Sequence, residues 1–453
     1  MVPDYFTGQI FATKTMTDPQ PLLDAARRAG ASQAEVFAVE SEETPVRFEA
    51  NRLKELNSRH SSGVAVRVIV NGRIGFASST RPGDVEDVVR AAVETAPFGP
   101  EAHLDFPSNG SAPDVSVFDA ATEALSVDSM IDTGQSLVDA ARGVEPELLC
   151  DASVRRAVAT ATIANSNGGH FTYRGTSFMA WLHGTLVRGT DMLFVGDGDA
   201  SCGTDLALDT IKASVERQLD YARRTAEART GEMPVIFTPI GVAEALAMPL
   251  TVAFAGRAIQ QGQSPLVGAL GKEMYDTRLT VTDDPLLAGR VASRPFDDEG
   301  VASQRLPLIE NGVVGNFMYD LQTAGLAKAV STGAAQRSLA AQPAISTSSL
   351  VIETGDATFD EMVKGIDEGL VVEELMGAGQ GNVMGGDFSG NVLLGYKIES
   401  GEIVGRVKDA IVAGNVHEAL KRIVAIGSEA RWVGGTMLTP PIWFERLTVS
   451  AKS

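Results

Sequence analysis

The strongest constraint on the fold is a pair of alternating runs, residues 63–70 (GVAVRVIV) and 73–78 (RIGFAS), joined by Asn71-Gly72 alone. Asn and Gly both tolerate positive φ, so a two-residue turn between period-two segments specifies an antiparallel hairpin. A lone hairpin is marginal in water, and further strands must cover its apolar face. Residues 34–40 (AEVFAVE) and 45–50 (PVRFEA) alternate in the same way and supply them. Helices flank this group. Apolar positions recur at helical spacing over residues 22–29 until Gly30 stops them, and residues 84–96 form an amphipathic helix with an acidic first turn that suits the helix dipole.

The pattern then repeats with different lengths. Residues 97–116 are loop, 129–142 helix and 152–164 strand; a turn at 165–169 leads to strands at 171–187 and 191–195, with Asp197-Gly198-Asp199 as the next turn. A long charged helix is expected over 206–229, and Thr230-Gly231 marks a boundary. Beyond it come a strand at 234–237 and an apolar helix at 241–260, which Pro249 should kink or split. Whether 245–258 faces the core or an interface is open, because periodicity does not separate the two. Hairpins are expected around Asn311-Gly312 and Ser400-Gly401, with helices at 358–369 and 418–426.

Strands outnumber helices without regular βα alternation, so the class is α+β. At 453 residues the chain has room for two domains. They are an N-terminal antiparallel or mixed sheet with helices (21–230) and a C-terminal strand-rich sheet or barrel-like domain with a few helices (231–453). Residues 1–20 read as an irregular extension, in which Met16 is an alternative start.

The residues that carry chemistry are sparse. None of the five histidines, His60, His103, His170, His183 and His417, has another three to five positions away, the spacing a helical metal pair needs. His417-Glu418 opens like a zinc-protease motif, but Lys421 stands where the second histidine belongs, so His417 reads as a helix-start residue. Cys150 and Cys202 are too few for a disulfide framework, which fits a reducing compartment. There is no G-x-S-x-G elbow and no Walker A sequence. The acidic pairs and triplets Asp283-Asp284 and Asp297-Asp298-Glu299 lack EF-hand spacing and read as Asx-turns and solvated loop charges. Residues 377–390 (GAGQGNVMGGDFSG) partly mimic a dinucleotide fingerprint, but no βαβ unit surrounds them, and they read as a loop built for close backbone approach. The residues alone assemble no catalytic group and no metal site.

Charge narrows the partners. With 58 acidic against 38 basic residues, the net charge of −20 opposes direct nucleic-acid binding and binding to anionic membranes. No apolar run reaches the roughly 18–20 residues that span a bilayer, and the N-terminus does not resemble a signal peptide. A soluble cytoplasmic protein is expected.

Several segments, in order, resemble the TldD/PmbA (TldE) proteins, once named modulators of DNA gyrase. They are residues 31–37 (ASQAEVF), 63–68, 71–77 (NGRIGFA), 165–168 (NSNG), 283–285 (DDP), 296–300 (FDDEG), 308–312 (LIENG), 386–389 (GDFS), 398–403 (IESGEI) and 414–427. The family is similar to a two-subunit intracellular metalloprotease. Its TldD-type member carries zinc on a His-Glu-x-x-x-His helix with a later cysteine, and its PmbA/TldE-type member lacks those ligands. The corresponding helix lies within 241–258, where there is no histidine and Glu244 is the only acid. The resemblance therefore implies a PmbA/TldE-type chain without a cofactor of its own, zinc being expected only in a TldD-like partner. It further implies pairing with that partner or with a second copy, and a chamber for peptide or unfolded protein. Gly379, Gly381, Asn382, Gly385 and Asp387 are the candidates for holding such a peptide through backbone hydrogen bonds. A stand-alone peptidase with an unrecognised site and a non-enzymatic homodimeric peptide-binding protein are the alternatives.

Overall fold

A computed structural model describes residues 18–81 and 85–451. Most of the expected N-terminal extension, including Met16, and residue 84 of the second helix lie outside the described residues.

The N-terminal half is one antiparallel sheet. Its strands are β1 (Gln33–Glu49), β2 (Arg52–Glu55), β3 (Arg59–Val70), β4 (Arg73–Ser79), β5 (Leu149–Asn165), β6 (His170–Arg188) and β7 (Asp191–Ser201), in the order β4-β3-β1-β5-β6-β7 with β2 folded back on β1. Asn71 and Gly72 adopt the positive φ that the hairpin requires. The two expected strands at 34–40 and 45–50 are one 17-residue strand. Pro45 does not interrupt it: pairing with β3 ends at Glu43 and pairing with β2 begins at Arg47, so at Pro45 the strand is paired only with β5 and has one free edge, where a missing N–H is tolerated. Alternation then sorts the faces. Val36, Val64, Val66 and Val68 pack under α1 (Gln20–Arg28) and α2 (Val85–Thr95). Val46, Phe48 and Val154 pack under α3 (Val127–Val144) and α4 (Leu208–Tyr221). The odd residues Phe37, Ala161 and Ile163 face the other way, toward Phe296 of the C-terminal half.

The C-terminal half is built on a five-stranded mixed barrel. Strand Gly231–Phe237 lies parallel to Glu368–Met376 and antiparallel to Ile442–Ala451. Ala410–Asn415 joins the latter to the first part of Asp387–Glu399, whose second part returns to Glu368–Met376 and closes the ring. Helix α5 (Pro239–Phe254) packs against Glu368–Met376 and the loop after it. A six-stranded sheet of short strands, including Val281–Asp283 and Arg431–Val433, completes the half. Among the described residues no helix is long and apolar enough to cross a membrane.

Several local readings are corrected. Helix α4 ends at Tyr221, and Thr225–Ala226 pairs instead with Arg406–Val407. Pro249 sits buried inside an unbroken α5. The break comes at Ala255, where the Gly256 N–H turns to the Met318 carbonyl at 2.7 Å and the Tyr319 ring occupies the space a Gly256 Cβ would need. The helix expected at 418–426 is only Val416–Ala419, because Ile423–Ile426 is drawn into pairing with Ile442–Ala451. The helix expected at 358–369 shrinks to Phe359–Lys364 for the same reason, since Glu368 already belongs to the barrel. Asp197-Gly198-Asp199 is not a turn but the middle of β7, where Arg431 meets the buried Asp197.

Candidate functional site

Strand Glu368–Met376 leaves the barrel at Gly377, whose φ of 81° starts two short 3-10 turns, and Gly386 (φ 88°) returns the chain into Asp387–Glu399. Three of the five expected residues hold this loop together. The Asn382 side chain accepts from the Gly385 N–H at 3.2 Å and its amide reaches Asp387 Oδ2 at 3.4 Å. Asn415, which the sequence did not single out, donates to Asp387 Oδ1 and to the Gly385 carbonyl, both at 2.8 Å. Gly379 and Gly381 stand apart on the exposed side of the loop. A Cβ on Gly379 would meet Met248 Sδ of α5 at 3.2 Å, and one on Gly381 the Asp387 carbonyl at 3.3 Å.

Asn415 also caps the short helix Val416–Ala419 and so positions His417. The Tyr275 hydroxyl lies 2.8 Å from His417 Nδ1, and His417 Nε2 has no partner among the described residues. Burial pushes the imidazole down to about 4, with Lys421 adding to the effect, so the ring is neutral near pH 7. A cavity of about 290 Å³ opens here, lined by Met274, Tyr275, Gly385, Asn415, His417 and Lys421. Tyr275 and His417 are 142 residues apart, and no local pattern links them.

Glu244 on α5 accepts the Leu375 N–H at 2.5 Å; burial raises its pKa to about 8, the Leu375 N–H opposing this and Glu374 adding to it. The apolar segment 245–258 is mainly core: Ala245, Leu246, Leu250 and Phe254 are buried, while Met248 is 55% exposed. These donors do not fit a zinc centre. A carboxyl that burial keeps protonated, with no imidazole or thiolate beside it on the helix, is a poor cation ligand. Both cysteines lie buried in the N-terminal half with thiols pushed up to about 11 by burial. Among the described residues no group of three or more His, Cys, Asp or Glu side chains could hold a metal ion.

The acidic clusters are not solvated loop charges. Asp283, Asp297, Asp298 and Glu299 are all buried. The Asx-turn geometry is present, with Asp297 Oδ1 accepting the N–H groups of Glu299 and Val301 at 2.9 Å each, but its setting is the contact between the two halves. There Arg67 of β3 grips both oxygens of Glu35 at 3.1 Å and reaches Glu299 at 2.6 Å, and Arg337 reaches Glu35 at 2.9 Å. Burial works against the Arg67 charge, yet the Glu35 and Glu299 carboxylates carry its pKa upward. Burial lifts Asp297 and Glu299 above the usual carboxylate range, against the pull of Arg294 and Arg67 respectively. Burial of charge needs partners that only the folded chain supplies, so composition gave no sign of it.

Residues 230–451 match the model of the PmbA/TldA metallopeptidase C-terminal domain, and residues 34–96 that of the PmbA/TldA metallopeptidase domain 1. The chain is 28% identical to the metalloprotease PmbA of Escherichia coli O157:H7, over 83% of this chain and 82% of that one. It is 27% identical to a metalloprotease of Methanothermobacter thermautotrophicus, covering 88% of each chain. Its fold is similar to the crystal structure of TldE from Thermococcus kodakarensis, with a TM-score of 0.85 at 24% identity over 95% of this chain and 99% of the other. A putative modulator of DNA gyrase from Thermotoga maritima matches equally well, with a TM-score of 0.85 at 22% identity over 95% and 99%.

Proposed function

This chain belongs to the PmbA/TldD metallopeptidase family, and from that premise we propose that it is a PmbA/TldE-type subunit, without a zinc centre of its own, that joins a zinc-bearing TldD-like chain and helps to hold peptide. The observation that carries the reading is helix α5. With the His-Glu-x-x-x-His pattern laid on Glu244, the histidine positions are Ala243 and Met248. Zinc hydrolysis needs a bound water brought to a pKa near 7, and this helix has no donor set to hold the ion. What the site keeps is shape: a glycine-rich loop beside a cavity, with Met248 and Met376 exposed nearby. Flexible thioethers and accessible backbone suit extended chains of varied sequence. Gly379 and Gly381 present that backbone, and Asn382, Gly385 and Asp387 keep the loop in form. The same reading makes the protein cytoplasmic, and its net charge of −20 leaves direct DNA binding out of the picture.

Co-expression with a TldD-type protein from the same genome tests this. The expected result is a mixed complex that cleaves unfolded peptide, while neither chain does so alone. Stoichiometric zinc together with hydrolysis in the purified chain alone would overturn the proposal, and an exclusive homodimer would exclude the mixed complex. Leucine at Gly379 and Gly381 should lower cleavage by the complex without preventing assembly. Gly385 is the wrong position for that experiment, because a Cβ there would sit 2.3 Å from the Asn382 amide nitrogen.

A further inference from the structure

A second cavity, of about 280 Å³, lies between the N-terminal sheet and loops of the C-terminal half, at the domain contact. Its floor is made by small residues. Ala157, Ala159 and Ala161 project from one face of β5, and their partners across β6 are Ser177, Gly175 and Tyr173. Alternation puts all of them on the same side, so the sheet is hollowed where larger side chains would fill it. Phe37 and Val39 of β1 extend this apolar surface.

The opposite wall is polar and buried. Ser293, Arg294 and Arg337 are each at most 6% exposed, and all three line the cavity. Arg337 gives one nitrogen to Glu35 at 2.9 Å and stacks over the Phe37 ring at 4.4 Å. Its Nε and Nη2, together with Arg294 Nε and Ser293 Oγ, have no partner among the described residues. Nε and Nη2 form one edge of a guanidinium, the edge that takes both oxygens of a carboxylate. Arg67, in the same cluster, uses that edge on the two oxygens of Glu35. The acids of this wall are already engaged. Glu35 is held by the two arginines, Asp298 accepts the Arg337 N–H at 2.8 Å, and Glu299 accepts from Arg67 and from the Leu321 N–H. Asp298 also faces Arg294 at 3.5 Å, so the donors left unpaired are the Arg337 edge, Arg294 Nε and Ser293 Oγ. A mostly apolar hollow with a few convergent donors is the general form of a small-molecule site.

We propose that this cavity binds a small carboxylate with an apolar body about the size of one amino-acid side chain. The carboxylate docks on the Nε–Nη2 edge of Arg337, which solvent does not reach in the unliganded chain and which turns toward the cavity on binding, with Arg294 and Ser293 beside it, and the apolar part lies over the alanine floor. A free acid and the C-terminus of a short peptide share this chemistry.

The test uses the whole chain, with isovalerate and phenylacetate as probes and their amides as controls, followed by thermal unfolding and calorimetry. A leucine-ending tripeptide with a free or an amidated C-terminus distinguishes the two sources of the carboxylate. The acids are expected to raise the melting temperature saturably, and the amides to leave it unchanged. Ala159→Leu fills the floor without removing a hydrogen bond and should abolish the shift while the far-UV spectrum stays native. Arg337→Lys keeps the charge but loses the paired edge and should weaken binding at least tenfold. Equal responses to acids and amides, no response to any acid, or a shift that survives Ala159→Leu would each overturn the proposal.

Discussion

At the contact between the two halves, Arg67, Arg337, Glu35 and Glu299 are buried together, and each carboxylate has a guanidinium within 3.1 Å. Beside the barrel the polar groups are solitary: Glu244 has the Leu375 N–H and His417 has the Tyr275 hydroxyl. The first region solves the cost of burial by pairing opposite charges, the second by discharging the group. Charge pairs hold one geometry, which suits a junction that must stay closed. Neutral groups leave donors and acceptors unspent, as at His417 Nε2, which has no partner among the described residues.

The comparison fails first, if it fails, at Arg67. Arg67→Met leaves Glu35 and Glu299 buried without their main partner, and we expect a loss of about 3–5 kcal/mol in urea unfolding. A loss below about 1 kcal/mol would mean that the charges do not hold the junction.

Titration sharpens the barrel side, because its two groups respond with opposite sign. The folded-state pKa of Glu244, about 8, lies above its ordinary 4.5. Its protonated form therefore contributes fully below pH 4.5, and the contribution is lost as pH rises toward 8, by at most about 1.4 kcal/mol per unit. Glu244→Gln should remove that slope and gain on the parent by about 4 kcal/mol between pH 5 and 8. For His417 the folded value of about 4 lies below 6.5, so the neutral ring contributes above pH 6.5 and the contribution is lost as pH falls toward 4. His417→Gln should flatten the acid limb by about 3 kcal/mol or less, measured as stability against pH for parent and variant. Parallel curves would refute either assignment.

The smallest effects separate glycines of one loop. Gly386 has φ 88° and its Cβ would lie 2.4 Å from the His417 ring, so Gly386→Ala should cost about 1–3 kcal/mol. Gly381 has φ −85° and room to 3.3 Å, so Gly381→Ala should change stability by less than about 1 kcal/mol. Equal losses on thermal unfolding would show that the loop is not held at Gly386.

Much of the fold was legible because its signals are local. The Asn71-Gly72, Asn311-Gly312 and Ser400-Gly401 turns sit where alternating runs demanded them, at residues whose φ is positive. Helix ends failed where a distant strand outbid propensity, as when Ile423–Ile426 paired with Ile442–Ala451. At the candidate site, Asn382, Gly385 and Asp387 do meet in one hydrogen-bonded loop, but Tyr275 was invisible beside Asn415 and His417 because it lies 142 residues before His417 in the chain.

By itself the sequence determined which chemistry α5 can offer, since the side chains of residues 239–254 are the same in any fold and include no histidine or cysteine. It also determined the alternation that sorts each strand into two faces. Only the tertiary structure decided that the acids at 297–299 are buried rather than solvated, and that His417 is neutral. Both depend on how far water is excluded, and that is set by residues hundreds of positions away, such as Arg67 against Glu299, which no local pattern encodes.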